Sequence, residues 1–255
     1  MNDGPRVERI RHELKRRQLT VARVERMPPN MVRIVLAGTD LRGFTSLGFD
    51  DHIKLFFPDA GAAAPAMRDF TPRRFDAAAG ELWIDFFLHE GGPAAAWASH
   101  AVPGQTLEIG GPKGSAVLAP EGIDTYVLVG DETALPAISR RLEELPSTAR
   151  ALVLIEIDAG AERPALTGPA ALDVVWIERG PRPGGAPGQD LIDALRRTTF
   201  PSDRCFVWVA AESRAARAIR NYLRDERGHG KHWIKAAGYW QQGAAGAHES
   251  IADDA

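Results

Sequence analysis

The segment TYVLVGDETALPAI, residues 125–138, decides the architecture of this chain. Its first five residues form a β-branched, apolar run of the kind found in strands covered on both faces. Gly130-Asp131-Glu132-Thr133 ends the run, and Pro136 stands near a helix start, where its missing N–H leaves no gap in the bonding. Similar apolar runs recur at 151–157, 174–177 and 206–210, and helical patterns fill 134–144, 190–197 and 213–227. This strand–helix alternation predicts an open α/β domain with a parallel sheet. Ligands of such sheets bind beyond the carboxyl ends of strands. Gly130, Asp131, Glu132, Thr133 and Ala134 mark one such end, and Ala211-Glu212-Ser213 repeats the strand-to-helix junction. The first junction does not match G-x-G-x-x-G and is weak as a dinucleotide fingerprint. The Pro/Gly-rich stretch 180–188 reads as a surface loop.

Upstream the rhythm is that of β structure. Six short strands, at 19–27, 31–36, 52–57, 68–74, 82–88 and 106–110, are separated by turn residues, which predicts a small antiparallel barrel. The fold class is therefore β plus α/β: an N-terminal antiparallel six-stranded β-barrel, then an open parallel-sheet α/β domain. The expected divisions are a basic segment 1–18, the barrel 19–120, the α/β domain 121–243 and an acidic tail 244–255. Between Arg6 and Arg26 eight Arg or Lys face three Glu. Residues 7–17 read as a solvated basic helix or a flexible lead-in, and 59–66 as a loop.

Within the barrel, residues 67–115 concentrate groups with chemical potential. Arg68 and Thr71 precede a strand carrying one acid, Asp85, which alternation places with Trp83 and Phe87 on the wetter face. His89 follows, and Gly91-Gly92-Pro93 opens a helix over 94–100 whose first N–H groups suit a diphosphate. Each residue also has a structural reading: an exposed Arg, a strand Thr, a hydrogen-bonding His.

Composition narrows the classes. A net charge of −3 gives no global field toward nucleic acid. No apolar stretch reaches the roughly 18–20 residues of a membrane span, and the start lacks an apolar leader, so a cytoplasmic location is expected. Cys205, the single cysteine, excludes disulfides within the chain and cysteine-ligated clusters, and reads as a buried thiol. His229 and His232 flank Gly-Lys without a nearby carboxylate, and no metal site is expected.

The motifs RDFTPRRFD, DFFLHxxGPAxxWA, GPKGS, VGDETALPAI, AES and GYWxxG, in that order, resemble the siderophore-interacting protein family. These are flavin-dependent ferric-siderophore reductases of the ferredoxin–NADP reductase-like group. The resemblance runs from Arg23 to Gly243. It implies FAD against Arg68, Phe70, Thr71, Asp85, Phe86, Phe87 and His89, with Thr71 near the flavin ring. Gly92, Pro93, Ala94, Trp97, Ala98, Gly114 and Ser115 complete that site. It implies NADPH or NADH against Gly130, Asp131, Glu132, Thr133, Ala134, Glu212 and Ser213, with Tyr239 and Trp240 closing over the flavin from the C-terminal end. Lys54 and Lys113 are the expected substrate-side cations. Two positions depart from the family pattern: Phe70 replaces a Tyr, and Gln241 a basic residue.

The implied reaction moves electrons from NAD(P)H through FAD to siderophore-bound Fe(III), with no residue acting as nucleophile or acid. Glu156 and Asp158 are candidates for ribose hydroxyls, and Arg214 and Arg217 for a 2′-phosphate; the resemblance leans to NADPH. Competing readings are a general flavin reductase, a ferredoxin-coupled oxidoreductase, and a non-catalytic siderophore or flavin binder.

Overall fold

The computed structural model describes residues 4–27, 30–58, 64–88, 91–169, 171–180, 186–244, 246 and 248–251. It divides into two compact units: Val7–Leu118, and Ala119–Ala255 together with Met1–Arg6.

The first unit contains β1 (Val7–Arg11), β2 (Arg16–Met27), β3 (Met31–Ala37), β4 (Ile53–Phe57), β5 (Ala66–Phe70) and β6 (Arg74–Asp76). After these come β7 (Glu81–Phe87), helix α1 (Pro93–Ser99), β8 (Thr106–Gly110) and β9 (Gly114–Leu118). Seven strands form one antiparallel sheet in the order β5-β4-β8-β2-β3-β7-β6. The strand expected at 68–74 is broken at Thr71-Pro72-Arg73, because Pro72 has no N–H for a ladder. This break explains why seven strands replace six. It also sets the curvature. The two edge strands are joined by those three residues alone, so their ends lie within about 14 Å of each other. A seven-stranded sheet meets that limit only by curling. Its inner face buries Leu19, Ile34, Leu55, Phe57, Leu82 and Ile109.

The outer face of the curl is held by charge. Arg33 and Asp85 are cross-strand partners, and the guanidinium donates to both carboxylate oxygens at 2.7 and 2.8 Å. Arg33 also lies over the Trp83 ring, 4.9 Å from its centroid, with Arg74 at the same distance. Asp85, at 5% exposure, is thus satisfied within the sheet.

The basic N-terminus is not a helix. Val7–Arg11 is a strand antiparallel to Gly114–Leu118, and Arg16 already opens β2. A Cβ on Gly114 would stand 2.5 Å from the Ile10 carbonyl oxygen, so this pairing needs glycine there. Arg17 is buried, its Nη1 donating to the Gly111 carbonyl.

The second unit alternates strands and helices as expected. It contains β10 (Thr125–Asp131), α2 (Leu135–Glu144), β11 (Arg150–Asp158), β12 (Ala171–Arg179), α3 (Gln189–Arg197), β13 (Cys205–Glu212) and α4 (Ser213–Asn221). Two short strands, β14 (Ile234–Trp240) and β15 (Glu249–Ile251), follow. The sheet order is β12-β11-β10-β13-β14-β15, with β15 alone antiparallel. Every residue of β10 and β13 is buried. Gly130 is dictated by packing: a Cβ there would stand 2.4 Å from the Ala210 carbonyl oxygen. The helix expected over 213–227 ends at Asn221 and continues as a wider turn, Tyr222–Glu226. Part of the tail is ordered, since Ile251 joins the core beside β14. Cys205 is buried.

Replacing Asp85 by Ala leaves Arg33 beside the sheet without its carboxylate. Removing one partner of a largely buried pair costs about 3 kcal/mol, and the indole of Trp83 loses its ordered stacking. Urea unfolding followed by near-ultraviolet dichroism is expected to show both changes.

Candidate functional site

From β10 the chain builds β11 and β12 to one side, then crosses to build β13 and β14 on the other. The order reverses between β10 and β13, and an open α/β sheet has its ligand crevice at that point. Asp131 and Glu212 end those two strands. The sequence marked both ends as sites, and the topology brings them together.

Their side chains serve the protein first. Asp131 is buried, and its Oδ1 accepts from the N–H and hydroxyl of Thr133. Its Oδ2 accepts from the Glu212 N–H at 3.1 Å and the Trp240 indole N–H at 2.8 Å. Burial raises its pKa, against the bonds from Thr133 and Trp240 and the charge of Arg179, which favour the anion. Glu212 caps α4: Oε2 accepts from the N–H groups of Arg214 and Ala215 at 2.7 and 3.1 Å. In a glycine-rich turn such donors hold a diphosphate. Here two carboxylates of the chain occupy them.

A second cluster stands at the ends of β11 and β12. Arg179 donates to Glu156 at 3.1 Å, to Glu132 at 3.0 Å and to Asp158. Burial opposes the charge of Arg179, but Glu132 and Glu156 outweigh it and raise its pKa. Burial also raises the pKa of Glu132 and of Glu156. The acids expected to meet a ribose are thus already paired. Arg179 is the functional candidate that sequence reading missed. Its signal was a strand-end cation in register with Asp158.

A cavity of about 530 Å³ opens beside both clusters. Asp131, Glu156, Arg179, Glu212, Arg214 and Trp240 are among its walls, with the first turn of α3. Gly130, Glu132, Thr133, Ala134 and Ser213, expected at the ligand, are not. Ser213 is packed against β14, where a Cβ on Gly238 would come within 2.3 Å of its hydroxyl oxygen. Tyr239 and Trp240 part company: Tyr239 meets the Trp208 ring at 6.0 Å, while Trp240 reaches Asp131. Arg217 pairs with Glu249 at the surface.

In the first unit an aromatic cluster gathers several expected residues. Phe70 and Phe86 have centroids 4.5 Å apart, and Trp97 lies 5.9 Å from Phe86. Phe86 and Ala98 are buried, while Phe70, Phe87, Pro93 and Ala94 are half-buried. Thr71 is buried at the break between β5 and β6. Arg68 donates to the Met67 carbonyl, and Gly92 precedes α1 with φ 91°. Asp85 is held by Arg33 rather than open to a ligand. Ser115 is also committed, donating to Asp51 at 2.6 Å and meeting His12 at 2.7 Å. Lys54 is paired with Asp69 at 2.8 and 2.9 Å, which cancels its charge locally. Lys113 is exposed. His89 lies outside the described residues.

Among the described residues no group of three or more His, Cys, Asp or Glu is placed to hold a metal ion. His229 is buried, and its Nε2–H donates to the Cys205 carbonyl at 2.8 Å.

The profile described as siderophore-interacting FAD-binding domain matches residues 20–67 and 60–116. The profile described as siderophore-interacting protein matches 123–243. The NADPH-dependent ferric-chelate reductase of Escherichia coli is 36% identical, over 94% of this chain and 99% of its own. A ferric vibriobactin reductase of Vibrio cholerae is 31% identical, over 89% and 90%. The crystal structure of a siderophore utilization protein from T. fusca superposes with a TM-score of 0.86 at 39% identity, covering 95% and 98% of the two chains. A ferredoxin NADP+ reductase from Neisseria gonorrhoeae, at 13% identity and TM-score 0.61 over 83% and 91%, shares the fold.

The crowded acids give a pH signature. A carboxyl with a raised folded pKa binds more protons folded than unfolded, so its contribution falls as pH rises through that window. For Glu156 the window starts near its ordinary 4.5 and extends upward. Glu156→Gln is therefore expected to flatten the loss of stability between that pH and neutrality, measured as denaturation midpoint against pH.

Proposed function

Because the chain belongs to the siderophore-interacting protein family, we propose that it is an FAD-dependent reductase of ferric siderophores. It takes electrons from a nicotinamide nucleotide and releases iron as Fe(II) for assimilation. The observation that carries this reading is the union, in one chain, of a matched FAD-binding domain and a domain with a cavity at its topological switch point. The names of the E. coli and V. cholerae relatives support NADPH as donor and a ferric siderophore as substrate.

The residues of the first unit fit FAD. A planar ring needs a flat apolar wall with a polar edge, and Phe70 beside Thr71 supplies both. A diphosphate needs cations and close backbone approach. Arg68 supplies the charge; Gly91 and Gly92, at φ 81° and 91°, supply the approach, and at Gly91 the space a side chain would take is open. Pro93, Ala94, Trp97 and Ala98 line the adjoining helix. Phe70 in place of Tyr keeps the wall and gives up one hydroxyl contact. Asp85 and Phe86 act through the sheet, fixing the strand on which Phe87 stands.

FAD, when bound, supplies the conversion of a hydride input into single-electron output. The protein orients and shields, and none of its side chains need move a proton. Hard oxygen ligands favour Fe(III), so reduction weakens their hold on iron. Lys54, already paired with Asp69, attracts an anionic complex less than a free lysine, leaving Lys113 as the more exposed cation. In the second unit the nucleotide lies along the strand-end cavity. That cavity supports a nucleotide rather than ferredoxin as donor. Among the described residues no helix is long and apolar enough to cross a membrane, and we place the reaction in the cytoplasm, where the donor is made.

The purified protein is expected to be yellow, to bleach anaerobically with NADPH or NADH, and to regain colour with a ferric siderophore while a ferrous chelator traps iron. Failure to bind FAD sinks the reading; bleaching by reduced ferredoxin alone favours the ferredoxin-coupled alternative. Thr71→Ala is expected to weaken FAD binding about tenfold, the worth of a hydrogen bond in a buried site, with the fold unchanged by circular dichroism.

A further inference from the structure

Asp131 reaches across the switch point, and its bonds reveal a role distinct from ligand binding. Residues from three neighbouring strands meet at its carboxylate: its own turn through Thr133, the end of β13 through the Glu212 N–H, and the end of β14 through Trp240. Trp240 differs from the other two partners. It is 39% exposed, sits at the strand terminus and forms a wall of the cavity. An exposed indole normally samples several rotamers. Here its polar edge is fixed at 2.8 Å by a buried carboxyl oxygen, so its ring is presented to the cavity in one orientation. The following turn is tied to the same place, since the Gln242 N–H donates to Glu212 Oε1 at 3.3 Å.

We propose that Asp131 is a positioning residue that locks the Trp240 indole as a preformed wall for the nicotinamide nucleotide. This rests on the nucleotide reading of the cavity given above. Its carboxylate contacts the nucleotide through Trp240 rather than directly. All four of its described bonds go to the protein, and a second anion beside a diphosphate would repel it. Prepaying the order of an aromatic wall lowers the entropy lost on binding. Asn in place of Asp offers one acceptor oxygen for the two sides that Asp131 serves, so the indole is released even if the turn survives.

Two variants and two readouts test this. Trp240→Phe identifies the Trp240 indole resonance in a ¹H–¹⁵N spectrum of the full-length protein by its disappearance. In the wild type that N–H is expected to exchange slowly with solvent despite its exposed ring; in Asp131→Asn it shifts and exchanges rapidly. Calorimetric titration with NADP⁺ and NAD⁺ is expected to show about tenfold weaker binding of the preferred nucleotide in each single variant. The double variant is expected to be no weaker than Trp240→Phe alone, because coupled residues are not additive. Additive losses, or a wild-type indole that exchanges freely, overturn the positioning role while leaving the nucleotide site intact. A wild type that binds neither nucleotide overturns both the role and the reading beneath it. Asp131→Asn also tests a weaker capping bond to Thr133, so Trp240→Phe, which leaves that turn untouched, keeps the outcome decisive should Asp131→Asn fold poorly.

Discussion

Burying one carboxylate at the end of β10 is the constraint around which the second unit is arranged. A carboxyl group at 3% exposure persists only if donors replace its water. The chain brings Thr133 from the adjoining turn, a backbone N–H from the end of β13 and an indole from the end of β14. Meeting that demand fixes how these three termini converge. Gly130 completes the condition, since only a residue without a side chain lets β10 lie so close to Ala210 and Ala134.

The same economy governs the helix starts. Asp131 and Glu212 sit where nucleotide-binding turns of other folds leave donors free for phosphate. The missing glycine fingerprint and these internal caps are one fact seen twice. A turn that carries its own anion has no need of glycines to admit an external one. The side chains left around the cavity are the indole of Trp240, Arg214, and Arg179 in its ring of acids.

Strand–helix alternation after residue 120 was legible because β10 and β13 are apolar up to their last residues, and their junctions were marked as strand ends, whereas the switch point came from the strand order. β14 was not legible: IKAAGYW contains a lysine, two alanines and a glycine, and becomes a strand because β13 offers it an edge. The basic stretch 7–11 hid for a similar reason, since its pairing with 114–118 is a contact distant in sequence. Among site residues, the residue types were readable but their engagements were not. Asp85, Lys54, Ser115 and Glu212 each looked available, and each is held by a partner far along the chain or by a helix start. Arg179 became visible only when parallel register placed it beside Asp158. Phe70, the departure from the family pattern, packs on Phe86, where a ring suffices.

The short strand β15 has a meaning beyond its three residues. A parallel sheet ending at β14 would present a row of unpaired N–H and C=O groups along 236–238. β15 covers them, pairing Ala236, Ala237 and Gly238 with Ile251, Ser250 and Glu249. An open edge of that kind is a template on which another chain can add a strand. The sheet then ends on β15, three residues long, next to the strand end that carries Trp240, and an edge strand that short offers little template.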